Sequence, residues 1–535
     1  MTDVTIVGGG LAGMTAALRL LQRGCRVTLY EASTRLGGKA GADLNKDEYV
    51  DHGYHIFPLW YLNAWRLIDE LDIRSNFTDH NDFDQLAAGE FPRFRVLRGV
   101  TSPRYALRNM FSGYMSPSEM FLLYYSALDL MSQRYRRRSY LDQISLIGFL
   151  RSTFYRTETI AAQTQQLILK GISVPSYFVS AMTTRKVLLF WMSYPLPWYR
   201  MARGNLQEFW ITPIQRKLEQ LGCVIRTSQC LERIEVVGPQ VTRLHFRDQN
   251  DQTKIYSVEI DRVILAIPPE QVNGLVGDEV CAPAPTLANL RYLQSQPMAA
   301  LHIKLNRRIP GIPRDIVNLV DSKFGLSFID LSQNWQGYDT TVLSMIASDI
   351  TPLEGLSSND ATAQVLEEIR RFIPEMTTAT IRSTDFQSHI GQPLFMNDVG
   401  AWAFRPDPTK ATELTNFYLA GDYCRSHIDL TCMEGAITTG LHAAESVRKD
   451  AGLSGPPIEI LQPDISPQWL RTAMKIALRP GAALAKGITL VTEQNAGEDK
   501  QGPIVGVRQA TKHGQLRRRE RRGCNFWRIL GLPCF

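Results

Sequence analysis

The sequence is poor in the features that tie a chain to a membrane or a metal. No apolar run reaches the length of about 18 residues that a membrane-spanning helix needs. The first strand-like run begins by Val4, with no charged segment and no long apolar segment before it, so no signal peptide is expected and a cytoplasmic location is. The eight cysteines stand singly, at positions 25, 223, 230, 281, 424, 432, 524 and 534. None forms a C-x-x-C pair, and no cysteine–histidine cluster has zinc-ligand spacing, so no metal site is expected. Free thiols in a reducing compartment fit that scatter. The last four residues, Leu532 to Phe535, do not form a prenylation box. No internal repeat is evident. The net charge of +6 is mild, and no nucleic-acid partner is expected from it.

What remains is a globular composition, 44% hydrophobic and 21% charged, in a chain of 535 residues, long enough for two or more domains. Glycine carries the strongest signal. Val4 to Val7 read as a buried strand, followed by Gly8-Gly9-Gly10-Leu11-Ala12-Gly13. A helical pattern follows through Met14, Ala17, Leu18, Leu20 and Leu21, and Gly24 closes it. Val27 to Tyr30 read as a second strand, and Glu31 stands at its end. This is a βαβ unit opening on a dinucleotide fingerprint. Gly8 permits the tight turn, Gly10 lets a pyrophosphate approach, and Gly13 lets helix and sheet close up. The helix start offers free N–H groups to phosphate. Glu31 is placed to accept from ribose hydroxyls.

Beyond Glu31 the chain reads Arg35-Leu36-Gly37-Gly38-Lys39, then Asp51-His52-Gly53-Tyr54-His55-Ile56-Phe57. Near its other end come Phe417-Tyr418-Leu419-Ala420-Gly421-Asp422-Tyr423 and Met433-Glu434-Gly435-Ala436. These paired motifs resemble the FAD-dependent amine oxidase and carotenoid desaturase superfamily. Gly53 to Tyr61, Pro213-Ile214, Leu326 to Ser332 and Arg405-Pro406 bring the resemblance closest to plant- and cyanobacterial-type phytoene and ζ-carotene desaturases. It covers roughly residues 3 to 450.

The resemblance implies an α/β fold. A discontinuous Rossmann-type FAD-binding domain would use residues 1–75, 204–285 and 391–450. A mixed α+β substrate domain would use 76–203 and 286–390, and a basic, largely irregular, partly disordered extension 451–535. It places Ala12, Glu31, Ala32, Lys39, His55, Ile56, Tyr61, Gly421, Asp422 and Met433 at FAD-binding positions, beside Gly8, Gly10 and Gly13. Leu231 falls where a backbone N–H and C=O meet the adenine. Gly435 and the helix near Met433 would aim N–H groups at the flavin ring. Glu434 reads equally as a helix-start acid, and Trp60 and Tyr61 equally as core aromatics.

The implied function is dehydrogenation of a long apolar isoprenoid or carotenoid-like substrate by hydride transfer to flavin N5, with a quinone or oxygen as electron acceptor. One alternative is a flavin amine oxidase or protoporphyrinogen-type oxidase on the same fold. Another is a non-catalytic flavin-binding assembly protein. No catalytic residue is assigned. The desaturase-type substrate arginine has no clear match among Arg185, Arg200 and Arg203, and Ile428 to Cys432 is one residue long for the pattern. No lysine falls at the amine oxidases' position on the strand Ala299 to Leu305, since Lys304 comes later.

Two further stretches stand out. Val187 to Tyr199 (VLLFWMSYPLPWY) reads as a buried helix ended by Pro195, or as the wall of an apolar pocket or a membrane-facing surface. Leu516 to Arg522 carries five arginines, with Phe526, Trp527, Ile529 and Leu530 after it. With the 187–199 run it is the candidate for peripheral membrane contact. A helix is expected over Gln468 to Leu478.

Overall fold

The computed structural model describes residues 1–45, 48–133, 138–389 and 393–496. The arginine-rich stretch 134–137 and the cluster 516–522 lie outside them.

The glycine fingerprint folds as its spacing predicts. Strand β1 (Asp3–Val7), helix α1 (Leu11–Leu21) and strand β2 (Arg26–Tyr30) form a unit of two strands and a covering helix. β1 and β2 pair in parallel at the centre of a five-stranded sheet. Its order is Val224–Arg226, β2, β1, Arg262–Leu265, Phe417–Leu419, every pair parallel. These strands come from the start, middle and end of the chain. They read as near-continuous apolar runs because both faces of a parallel sheet are covered.

α1 is buried on nearly every side, from Leu11 to Leu18. It is sandwiched between the sheet and the helix Met433–Asp450. A Cβ on Gly440 would run into the Ala12 carbonyl. That close crossing brings the two terminal motifs together.

A seven-stranded mixed sheet forms the other large layer. Its order is Ile381–Gln387, Ala299–Leu305, Val342–Ala347, Leu326–Asp330, Ile316–Leu319, Asp82–Leu86, Arg95–Arg98. The last two strands come from a distant part of the chain and join at a parallel pairing of Ile316–Leu319 with Asp82–Leu86. Helices Pro117–Ser132, Glu158–Ile172 and Ala181–Ser193 belong to the same middle stretch. The first opens on a capping box, Ser116 with Glu119.

The helix expected over Gln468 to Leu478 continues to Ala496. Pro480 sits inside it, with Gly481 next, and that pair hides the helical pattern from a reading by propensity. Packing overrides both. Gly481 lies against the Phe121 ring, where a Cβ would be tight. Lys475 Nζ pairs with Asp129 at 2.5 Å, and Arg471 Nε donates to the Met131 carbonyl at 3.1 Å.

Candidate functional site

The turn after β1 is built by exclusion. Gly8 has φ +108°, and a Cβ there would meet the Ala266 carbonyl. A Cβ on Gly13 would meet the Gly8 carbonyl. Gly10 is different: its backbone is extended, with φ −75° and ψ 179°, and a Cβ there would point into open space. The turn needs Gly8 and Gly13 for its own packing; Gly10 keeps clear a space that the protein leaves open.

Glu31 closes the turn. Its carboxylate accepts from the Gly9 N–H at 2.7 Å and the Ser33 N–H at 2.8 Å. Each carboxylate oxygen retains a second lone pair. Glu31 therefore shapes the loop as well as offering acceptors, a role the sequence reading did not assign.

The opposite wall is the loop from Gly421 to Cys432. Gly421 has φ +151°, and its N–H donates to Thr439 Oγ1 at 3.0 Å. Asp422 follows it in the cavity wall, and desolvation there raises its carboxyl above the usual range. One side chain knits the loop together. Arg405, 4% exposed, donates to the carbonyls of Tyr423 (2.9 Å), Asp429 (3.0 Å), Asp422 (2.7 Å) and Cys424 (2.7 Å) and to Asn397 Oδ1 (3.0 Å). Within Ile428 to Cys432, Asp429 pairs with Lys186 Nζ at 2.5 Å.

Every residue placed at an FAD-binding position from the sequence except Gly13 lines one cavity of about 960 Å³. Glu31, Ala32 and Leu231 lie in its wall with Gly8, Gly10 and Ala12, as do Lys39, His55, Ile56, Tyr61, Gly421, Asp422 and Met433. Lys39 Nζ is held by the Pro393 carbonyl at 2.5 Å. His55 Nδ1 bonds the Gly53 carbonyl at 2.9 Å, and burial pulls its pKa down to about 4, so the ring is neutral at neutral pH. Tyr61 is buried beside Cys432, and burial raises its hydroxyl pKa.

Most of the rest of the cavity is apolar. Helix Ala181–Ser193 contributes Val187, Leu188 and Trp191, and Trp198 follows in the loop after it. The aromatic run thus walls the pocket, and its helix ends two residues before Pro195. Leu123, Leu130, Phe83 and Leu97 face them.

Other readings shift. Glu434 is fully buried and does not line the cavity. It accepts from the N–H groups of Asn63 (2.9 Å) and Ala64 (2.9 Å) and from Asn63 Nδ2 (2.8 Å), capping the helix Leu62–Glu70 from another helix. Gly435 spends its N–H on Cys432 Sγ at 3.3 Å, which caps its own helix, so it is not aimed at a ligand. Arg200 is taken by Asp79 at 2.6 Å, and none of Arg185, Arg200 and Arg203 lines the cavity. Arg98 does, donating two hydrogen bonds to the Asp82 carboxylate at 2.8 and 2.7 Å. Lys304 pairs with Glu48 at 2.7 Å, outside the cavity. Among the described residues no His, Cys, Asp or Glu group is arranged for a metal, and no helix is long and apolar enough to cross a membrane.

The residues present fit a dinucleotide joined to a flat ring. The open space at Gly10 meets the first N–H groups of α1, the carboxylate of Glu31 faces the same cavity, and the cavity runs on to Tyr61 and Met433.

Comparison with known proteins agrees. The family model described as flavin containing amine oxidoreductase matches residues 11–448. The chain is 25% identical to the ζ-carotene desaturase of Synechocystis, over 83% of this chain and 96% of that protein. It is 24% identical to the 15-cis-phytoene desaturase of Narcissus pseudonarcissus, over 84% of this chain and 80% of that one. Among solved structures, wild-type putrescine oxidase bound to putrescine superposes with a TM-score of 0.65 at 16% identity, covering 84% of this chain and 99% of that one. Cyclohexylamine oxidase from Brevibacterium oxydans gives 0.60 at 15% identity, with 84% and 99% covered.

Proposed function

The chain belongs to the flavin containing amine oxidoreductase family and is an FAD-dependent oxidoreductase, and we propose that it dehydrogenates a long apolar isoprenoid of the carotenoid kind. The observation that carries this reading is the apolar half of the cavity, walled by Phe83, Leu97, Leu123, Leu130, Trp191 and Trp198. The only carboxylates in the cavity wall among the described residues are Glu31 and Asp422, both at its nucleotide end. A cationic amine has no counter-ion along the apolar half; a hydrocarbon chain needs none. The likeness to ζ-carotene and phytoene desaturases over more than four-fifths of the chain points the same way.

In this reading residues 1–75, 204–285 and 391–450 hold the cofactor, and 76–203 and 286–390 the substrate. Glu31 and Leu231 meet the adenosine end, Gly10 and Ala12 the pyrophosphate, Asp422 the ribityl chain or the pyrophosphate, and Ile56, Tyr61 and Met433 the ring end. FAD, when bound, supplies the hydride acceptor. The protein supplies orientation and a dry site. Trp191, Leu123 and their neighbours fix the chain and exclude water. Reoxidation is by a quinone or oxygen.

The test begins with the protein's colour. Heat denaturation of the purified protein should release FAD into the supernatant. A carotenoid hydrocarbon added without oxygen should then bleach the holoprotein, while putrescine and a porphyrinogen leave it yellow. Bleaching by an amine alone would overturn the substrate and leave the family intact.

Such a substrate lives in a bilayer, so we place the protein at a membrane surface. The helix Gln468–Ala496 turns Trp469, Ile476, Leu484, Ile488 and Val491 to solvent, each at least half exposed. Their spacing gives one apolar stripe, as on interfacial helices. The full chain should float with anionic liposomes at low salt. A Trp469→Ser, Ile476→Ser, Leu484→Ser variant should float markedly less, and ending the chain at Gly514 should weaken flotation further. Equal flotation of all three would remove both contacts from the account.

A further inference from the structure

The far end of the cavity is not apolar throughout. Gln85, on the strand Asp82–Leu86, is 2% exposed, lines the cavity, and leaves its amide nitrogen without a hydrogen-bond partner. Thr164, on the helix Glu158–Ile172, is 9% exposed and lines the same cavity, and its hydroxyl also lacks a partner. Lys170, on that helix, lines it too; its Nζ reaches the Leu319 carbonyl at 2.5 Å and keeps further N–H groups.

The sheet register locates this end. Gln85 stands beside Asn318, Asn318 beside Ser327, and Ser327 beside Ile346. Ile346 touches the position of Gly53, two residues before His55. Three strand spacings put Gln85 roughly 14 Å from Ile346, across the floor of the cavity. Lys170 reaches the same floor, since Leu319 follows Asn318. Midway, Ser327 is satisfied by the Tyr54 hydroxyl at 2.6 Å. The open Gln85 amide is therefore remote from the flavin-facing residues, whereas the open Tyr423 hydroxyl lies at the nucleotide end.

An unpartnered buried amide costs folding free energy and returns nothing to the fold. The open Gln85 amide and the Lys170 amine on this floor, with the Thr164 hydroxyl in the same cavity wall on the Lys170 helix and no carboxylate beside them in the wall, are a set of donors waiting for an acceptor. We propose that the far end of the cavity reads an acceptor oxygen, a carbonyl or carboxylate, at the end of the substrate's apolar chain through Gln85, Thr164 and Lys170. The substrate is thus an amphiphile rather than a plain hydrocarbon. This rests on the reading of the cavity as the site for a long isoprenoid.

The experiment compares a linear polyene hydrocarbon with the aldehyde of the same chain, on the holoprotein. Binding is read from quenching of tryptophan fluorescence, since Trp191 and Trp198 line the cavity. Turnover is read from anaerobic bleaching of the flavin. The aldehyde should bind about tenfold more tightly than the hydrocarbon. In Gln85→Leu, Thr164→Val that preference should vanish, with hydrocarbon binding kept and the melting temperature unchanged or raised, because orphaned groups have been removed. The acid of the same chain tells the two oxygens apart: tighter binding that is lost in Lys170→Met assigns a carboxylate. Equal binding of hydrocarbon and aldehyde, with both bleaching the flavin, overturns this inference and leaves the isoprenoid reading standing. A preference that survives in the double variant also overturns it. If no polyene binds and an amine bleaches the flavin, the isoprenoid reading itself has failed.

Discussion

Arg405→Leu should collapse the wall formed by residues 421–432 and leave a protein that neither holds flavin nor melts in one sharp transition. The guanidinium makes five hydrogen bonds, four to main-chain carbonyls and one to Asn397, in a site 4% exposed. It also stacks on Phe395, 5.3 Å from the ring centre. Removing it strands those acceptors where no water reaches, and losing the cationic partner of a buried network costs about 3–5 kcal/mol. Asp429 would keep Lys186 and the Ser426 N–H. Arg405→Lys should recover part of the loss, since an ammonium has three donors in a different geometry. Thermal melts and flavin absorbance check both variants. A leucine variant that stays yellow and melts within about 1 kcal/mol of the parent would show that the loop stands without the arginine.

The same residue shows what a sequence can and cannot disclose. Gly8, Gly10 and Gly13 were legible because a phosphate-binding turn demands glycine at fixed offsets, and the strand and helix around them repeat with known periods. The strand Ala299–Leu305 and the helix start at Met433 were legible for the same reason. In the sequence Arg405 stands out only as half of the Arg405-Pro406 dipeptide. Its partners are carbonyls, which every residue has, so nothing in the sequence marks them. Glu434 is hidden likewise: it caps the start of a helix at Asn63, 371 positions earlier. The strand Asp82–Leu86 (DFDQL) carries two aspartates and a glutamine, which weigh against a buried strand. Its Phe83 and Gln85 nonetheless face the cavity. What reads as a polar interruption is the floor of the site. The C-terminal helix was cut short on paper by Pro480 and Gly481, although contacts with Pro117–Ser132 carry it through them.

Gly10→Val should yield a folded protein almost free of FAD. The three fingerprint glycines differ in what a side chain would meet. At Gly8 and Gly13 it meets the protein's own backbone, so substitutions there test folding. At Gly10 it meets nothing within 4 Å, and the backbone angles suit any residue. The valine side chain would instead fill the space in front of the first N–H groups of α1, where the pyrophosphate belongs. The apoprotein should therefore melt as the parent apoprotein does. Retained flavin should fall below detection after dialysis. Glu31→Ala makes the complementary cut. It removes acceptors from the ribose and also frees the Gly9 and Ser33 N–H groups that hold the turn. Charged hydrogen bonds of this kind are worth about 1.5–3 kcal/mol each, so retention should weaken by at least tenfold. Absorbance after dialysis and calorimetric melts separate the two variants. Full flavin occupancy in Gly10→Val would mean that the pyrophosphate lies elsewhere, and the orientation of the cofactor in the cavity would have to be reversed.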